Sequence, residues 1–167
     1  MAKTREQKKE MVKTIEGVLK SAPSSVFVHF TGINVAQETS LRKAFLAEQL
    51  GYTVAKKTLI RRALSSLGHD HEGTPLDGEI AIAYNLTEDG DPTLAARRVH
   101  GFARDFGVEK LVILGGIYQG QFMDAEAMRV IATIPSIQVL RGMFVNVINS
   151  PIQRLAIALD QIAQSRA

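Results

Sequence analysis

Four short apolar runs, VFVHF (26–30), YTVA (52–55), EIAIAY (79–84) and VEKLVIL (108–114), punctuate the first two-thirds of this chain. Each has the length and composition of a strand, and VFVHF suits a strand buried on both faces. Between them lie segments whose apolar residues recur at helical spacing. Strands that alternate with helices bury their faces by stacking in layers, so residues 1–133 are expected to form an α/β or α+β layered domain.

Caps and stripes mark the helices. Thr4 and Gln7 make a capping-box pattern that opens a first helix running to about Lys20, with Met11, Ile15, Val18 and Leu19 inward. Asn34 and Gln37 open a second, with Leu41, Ala44, Phe45 and Leu50 inward and Gly51 as its stop. Thr58 is expected to cap a third, which carries Leu59, Ala63 and Leu64 inward as far as Gly68. Asp91-Pro92 predicts a fourth with proline at its first position, a stripe of Ala95, Val99, Phe102 and Phe106, and an end at Gly107. GGIYQG (115–120) reads as a tight loop, and Asp124 caps a short helix that ends near Pro135.

The pattern changes at residue 134. Helical spacing continues from Ile137 to Ala163, but Ser150-Pro151-Ile152-Gln153 reads as a capping box with proline at the first helical position, which predicts a break and a restart. Before it, Ile137, Leu140, Phe144 and Val147 form an apolar seam, with Met143 and Ile148 alongside. After it, Ile152, Leu155, Leu159 and Ile162 form a second. Each is the stripe of a helix that buries one side against another helix. Residues 134–167 are therefore expected to be an extended, Pro-interrupted α-helical tail, and its apolar strip implies a partner offering helices of its own.

Composition narrows the classes. A hydrophobic fraction of 46% with 22% charged residues is that of an ordinary folded protein. No apolar run approaches the roughly 20 residues of a membrane span. The opening MAKTREQKKE lacks the apolar stretch of a secretory signal. Cysteine is absent, which excludes disulfides, thiolate metal sites and thiol catalysis. A cytoplasmic protein is the simplest reading.

The charge is unevenly spread. Residues 1–62 hold 12 Lys/Arg against 5 Asp/Glu, whereas residues 63–167 hold 8 against 12. A basic first third suggests that this part meets a polyanion, with nucleic acid as the leading candidate. Within it, VAKKTLIRRAL (54–64) places Lys56, Lys57, Arg61 and Arg62 at the front of a helix, the end where the dipole disfavours cations. Lys57 and Arg61, four apart, also repel by a few tenths of a kcal/mol. The same arrangement becomes favourable when a phosphate sits among the cations and free N–H groups. Lys56, Lys57, Thr58, Arg61 and Arg62 are thus the first candidates for RNA contact, and Arg5, Lys8, Arg42 and Lys43 the second.

Catalytic and metal chemistry finds little support. His69-Asp70-His71-Glu72 reads as a polar connector, and EDGD (88–91) as the approach to a helix cap. GGIYQG is not GxGxxG and opens no helix directly on its glycines. His29 and His100 have no evident partner, and GxSxG is missing. No metal, cofactor or enzymatic activity is expected. One enzyme alternative stays open, a small α/β nucleotide-binding or phosphotransfer protein built on GGIYQG.

The blocks FTGINV (30–35), LRKAF (41–45), VAKKTLIRRAL (54–64), LGGIYQG (114–120), IPSIQVL (134–140) and SPIQRLAIAL (150–159), all in order, resemble the bacterial large-subunit ribosomal protein ten family, that of the stalk-base protein. The likeness spans essentially the whole chain, and KKTLIRRA is its most specific part. One departure is visible: the family usually has Lys-Asn-Thr-Leu where this chain has Lys56-Lys57-Thr58-Leu59. The resemblance implies a structural protein of the large ribosomal subunit. Its residues 1–133 would anchor on large-subunit ribosomal RNA beside a neighbouring stalk-base ribosomal protein. Its tail would carry acidic stalk-protein dimers, two per chain, on Leu140, Phe144, Val147 and Ile148 and on Ile152, Leu155, Leu159 and Ile162, and through them recruit translational GTPases. Family members also repress translation of their own messenger. The alternative is an RNA-binding regulator whose C-terminal helix self-associates.

Overall fold

The computed structural model describes residues 4–68, 78–87, 90–107 and 109–166. It divides into two compact units, Met1–Ile134 and Pro135–Ala167. The first comprises α1 (Arg5–Ser21), β1 (Ser24–Phe30), α2 (Val35–Ala47), β2 (Leu50–Ala55), α3 (Lys57–Ser66), β3 (Ile80–Asn85), α4 (Leu94–Phe106), β4 (Leu111–Tyr118), β5 (Gln121–Asp124) and α5 (Ala125–Thr133). The strands make one sheet in the order β2-β3-β1-β4-β5, and every neighbouring pair is antiparallel. The unit is therefore α+β, with helices on both faces of the sheet.

Strand β1 explains the layering. Its apolar residues alternate across the pleat, and Val26, Phe27 and Val28 are all fully buried. Val26 and Val28 join Leu41, Phe45, Val99, Leu111 and Met128 in the core under α2, α4 and α5. Phe27 joins Ile15, Leu19, Ile60, Leu64, Ile82 and Ile117 in the core under α1 and α3. Each such side chain contributes roughly 1.5–3 kcal/mol by leaving water.

The cap of α1 forms as its sequence predicts. Gln7 N–H donates to the Thr4 hydroxyl (3.4 Å) and Thr4 N–H to Gln7 Oε1 (3.1 Å). Three other boundaries differ from expectation. Helix α2 stops at Ala47, and the left-handed residue after it is Gln49 (φ 58°), not Gly51. Gly51 lies in β2, where the Tyr84 ring of β3 fills the place of a side chain. Helix α3 leaves β2 so abruptly that Lys56 takes the N-cap position, which puts Thr58 inside the first turn. Its buried face is Ile60, Ala63 and Leu64, with Leu59 half-buried.

Helix α4 begins at Leu94, with Pro92 in the preceding turn. Asp91 acts from that turn: it accepts from the Thr93 N–H (3.0 Å), the Thr93 hydroxyl (2.7 Å) and the Arg97 guanidinium (3.0 Å). Partial burial pushes its carboxyl up, but these hydrogen bonds and the Arg97 charge outweigh that and hold it below the usual carboxylate range.

GGIYQG is not a loop. Gly115 to Tyr118 belong to β4, and only Gln119-Gly120, both at positive φ, make the turn into β5. Two successive left-handed residues suit a two-residue hairpin. Strand β5 is an element the sequence reading did not anticipate. Asp124 caps α5 as expected, accepting from Ala127 N–H at 2.9 Å.

The second unit is one helix, α6 (Ile137–Arg166), with Pro151 inside it. The predicted restart does not occur. Proline's φ is already helical, so the helix carries through, although the ladder loses the bond to the Val147 carbonyl and the ring is set against that carbonyl. No single described helix is long and apolar enough to cross a membrane.

Candidate nucleic-acid interface

The basic junction sits where β2 gives way to α3. With Ile60, Ala63 and Leu64 buried, the helical period turns Thr58, Arg61 and Arg62 to the outside, and all three are exposed. Lys56 is exposed at the N-cap, with no acidic residue in the first turn to balance it. Lys57 is only partly exposed, at the margin of the buried stripe. Spacing alone puts Lys57 and Arg61 together on the face opposite Leu59 and Ala63; the outward pair in the structure is Arg61 and Arg62.

The second-choice residues separate in character. Arg5 and Lys8 are exposed on the first turns of α1, which packs beside α3. Arg42 is held by the fold: its guanidinium donates to Glu38 Oε1 (2.7 and 3.1 Å) and lies 5.2 Å from the centre of the Tyr52 ring. Burial, and then the Glu38 charge, push the Tyr52 hydroxyl up to about 12 against a smaller pull from Arg42. Lys43 is exposed on the outer face of α2.

Strand register adds a residue that sequence reasoning missed. Ala55 stands opposite Ile80, Ile80 opposite His29, and His29 opposite Val112. The end of β2 and the start of β4 therefore share one end of the sheet. Lys110 is exposed there, its carbonyl accepting from Thr31 N–H at 2.9 Å. No local signal marked it, because only strand order brings it to the same end of the sheet as Lys56. His29 is occupied at that end: Nδ1–H donates to the Glu79 carbonyl (2.9 Å), and Nε2 accepts from the Thr31 hydroxyl (2.8 Å).

Metal and catalytic alternatives gain nothing. No group of three or more His, Asp or Glu suited to a metal occurs among the described residues. His69 to Glu72, and Glu88 and Asp89, lie outside them. His100 is exposed on α4. On α6 the eight candidate docking residues, Leu140, Phe144, Val147, Ile148, Ile152, Leu155, Leu159 and Ile162, are all exposed.

Comparison with known proteins decides among the readings. The family model described as Ribosomal protein L10 matches residues 3–104, more than half of the chain. The chain belongs to the ribosomal protein L10 family. Similarity to individual members extends further. A large ribosomal subunit protein uL10 of Shouchella clausii is 32% identical over 166 residues, 99% of this chain and 97% of that protein. The uL10 of Finegoldia magna is 34% identical over 161 residues, 96% of this chain and 87% of that protein. The uL10 of Staphylococcus aureus strain JH9 is 33% identical over 161 residues, 96% and 94%. As a member of the L10 family the chain is a structural ribosomal protein of the large subunit, which is cytoplasmic in bacteria, and not an enzyme. That removes the nucleotide-binding reading of GGIYQG.

Proposed function

We propose that this protein forms the base of the large-subunit stalk. Residues 1–133 anchor on large-subunit ribosomal RNA, with Lys56, Lys57, Thr58, Arg61 and Arg62 as first contacts. Arg5, Lys8 and Lys43 support them from neighbouring helices, and Arg42 contributes less because Glu38 already holds it. A second stalk-base ribosomal protein sits beside this domain. Residues 134–167 carry acidic stalk-protein dimers, which recruit translational GTPases. Binding to its own messenger's leader draws on the same basic surface.

The observation that carries this reading is the tail. Along α6 the apolar residues are turned to solvent, with Phe144 67% and Ile152 69% exposed. A thirty-residue helix with such a strip gains stability by docking helices against it. The helix is continuous, but the five-residue step from Val147 to Ile152 turns the second seam out of phase with the first along the exposed strip. Pro151 still divides that strip, since the ladder lacks a bond there. Two dimers per chain remain the expected load, one on either side.

The test is reconstitution of the full chain with acidic stalk protein, followed by native mass measurement. A mass of one chain plus two dimers is expected, and Phe144→Glu should remove one dimer while ribosomal RNA binding persists. Any other stoichiometry rejects the count. A chain whose size rises with its own concentration, and which ignores the acidic protein, rejects the stalk role in favour of self-association.

A further inference from the structure

Strand β2 ends the sheet, and its outer side is open among the described residues. The Leu86 N–H donates to the Gln49 carbonyl at 3.1 Å, which fixes the pattern of the ladder. In an antiparallel pair, bonded and unbonded residue pairs alternate. Counting on from Gln49–Leu86, the pairs Gly51–Tyr84, Thr53–Ile82 and Ala55–Ile80 bond inward. The N–H and C=O groups of Leu50, Tyr52 and Val54 therefore point away from β3.

Edges of this kind are usually blunted by proline, a bulge, an inward charge or short length. Strand β2 keeps unbroken register over six residues and contains neither proline nor a charged residue. The opposite edge, β5, is four residues long and runs straight into α5. On α2, which packs against β2, Val35 (75%) and Leu46 (72%) are two of the most exposed apolar side chains of the unit, and Val54 itself is 38% exposed. The surrounding charge is positive on balance, with exposed Glu79, next to Ile80, as the acidic group at the Lys56 end. Lys43 lies on α2 and Lys56 just past the strand, whereas Glu38 and Glu48 are already paired with Arg42 and Arg98.

We propose that the β2 edge binds an extended, acidic segment of a partner protein by strand addition. The partner's backbone pairs with Leu50, Tyr52 and Val54, its alternate apolar side chains lie beside Val54 and α2, and its carboxylates, on the other face, lie on the side of α3 that begins at Lys56. Donors and acceptors recurring every second residue match another peptide, which favours protein over RNA as the occupant. This goes beyond the ribosomal RNA and stalk roles, and it shares Lys56 with the surface read there as meeting RNA.

The test uses the full chain and the blocked hexapeptide Glu-Val-Thr-Val-Glu-Val, followed by amide NMR and hydrogen exchange. In the free protein the Tyr52 and Val54 amides should exchange fast, and those of Gly51 and Thr53 slowly. Peptide should protect Tyr52 and Val54. Val54→Pro removes only an outward N–H, so it should fold and weaken binding roughly tenfold. Leu46→Asp, a surface change on α2, should weaken it as well and serves if Val54→Pro does not fold. Replacing the peptide's glutamates by lysines should abolish binding. The proposal is overturned by an absence of shifts at millimolar peptide, by shifts confined to α3, or by undiminished binding to both variants. It is equally overturned if a single-stranded RNA oligonucleotide gives the same protection at Tyr52 and Val54.

Discussion

Gly116 of β4 lies against the backbone of Ser25 in β1: a Cβ at residue 116 would stand 2.4 Å from the Ser25 carbonyl oxygen and 2.8 Å from Met128 Cε. The adjacent Gly115, at φ 151°, would place a Cβ 2.8 Å from the Met123 carbonyl oxygen. The two glycines thus let β4 approach β1 on one side and β5 on the other. Gly116→Ala should lower the unfolding free energy by about 1–3 kcal/mol, because a backbone atom cannot swing aside as a side chain can. Chemical denaturation measures it, and a variant as stable as the parent would reject the close-packing account.

Asp91 and Arg97 make an acid-sensitive clasp. The carboxyl's folded pKa is depressed, so its contribution is present above its unfolded value near 4 and is lost as pH falls through the folded one. Asp91→Asn should destabilise the protein by roughly 1–3 kcal/mol at neutral pH. That difference should shrink as the solution is acidified below about pH 4. Thermal melts of both chains at several pH values would show it, and a gap that stays constant into acid would contradict it.

Tyr52 should ionise late. Its hydroxyl is raised from 10.0 to about 12, chiefly by burial. The neutral ring therefore stabilises the fold fully below pH 10, and the contribution fades as pH rises through about 12. A phenolate absorbance titration should show a late component that Tyr52→Phe removes. Glu38→Gln should move that component down, since the Glu38 charge helps to raise it.

Contact between α3 and ribosomal RNA should appear as a salt effect. Replacing both Arg61 and Arg62 by alanine removes about two phosphate contacts, which should flatten the log–log salt slope by roughly two units and weaken binding. A titration of wild type and double variant with a stalk-base ribosomal RNA fragment measures it. An unchanged slope with tight binding would move the interface to α1, Lys43 or Lys110.

What the sequence revealed depended on range. Thr4 with Gln7, the run Val26–Phe27–Val28 and Asp124 announced their elements because caps and alternation act over a few residues. The neighbours of β1, the strand β5 and the place of Lys110 did not show, because they follow from pairings between residues far apart in the chain. Gly115 and Gly116 misled for another reason: the composition that makes a turn also permits two backbones to touch. Pro151 misled because a Ser-Pro-x-Gln pattern suits a helix start, yet proline's fixed φ also lets a helix run through it at the cost of a lost bond and a crowded carbonyl. At the basic junction the residue types were legible, but the burial of Ile60 and Leu64 was needed to tell Arg61 and Arg62 from Lys57.

The strand order also sets a timetable. Strand β1 is synthesised early, yet both its neighbours come much later, Ala83 and Gly116 closing on the two sides of Val26. Distant pairings of this kind slow folding, because the chain between must be ordered before they repay the cost. Strand β1 is thus the first strand made, and its second flank closes only once β4 exists. The most basic third of the chain therefore holds a strand whose two flanks come from residues 80–85 and 111–118, both outside that third.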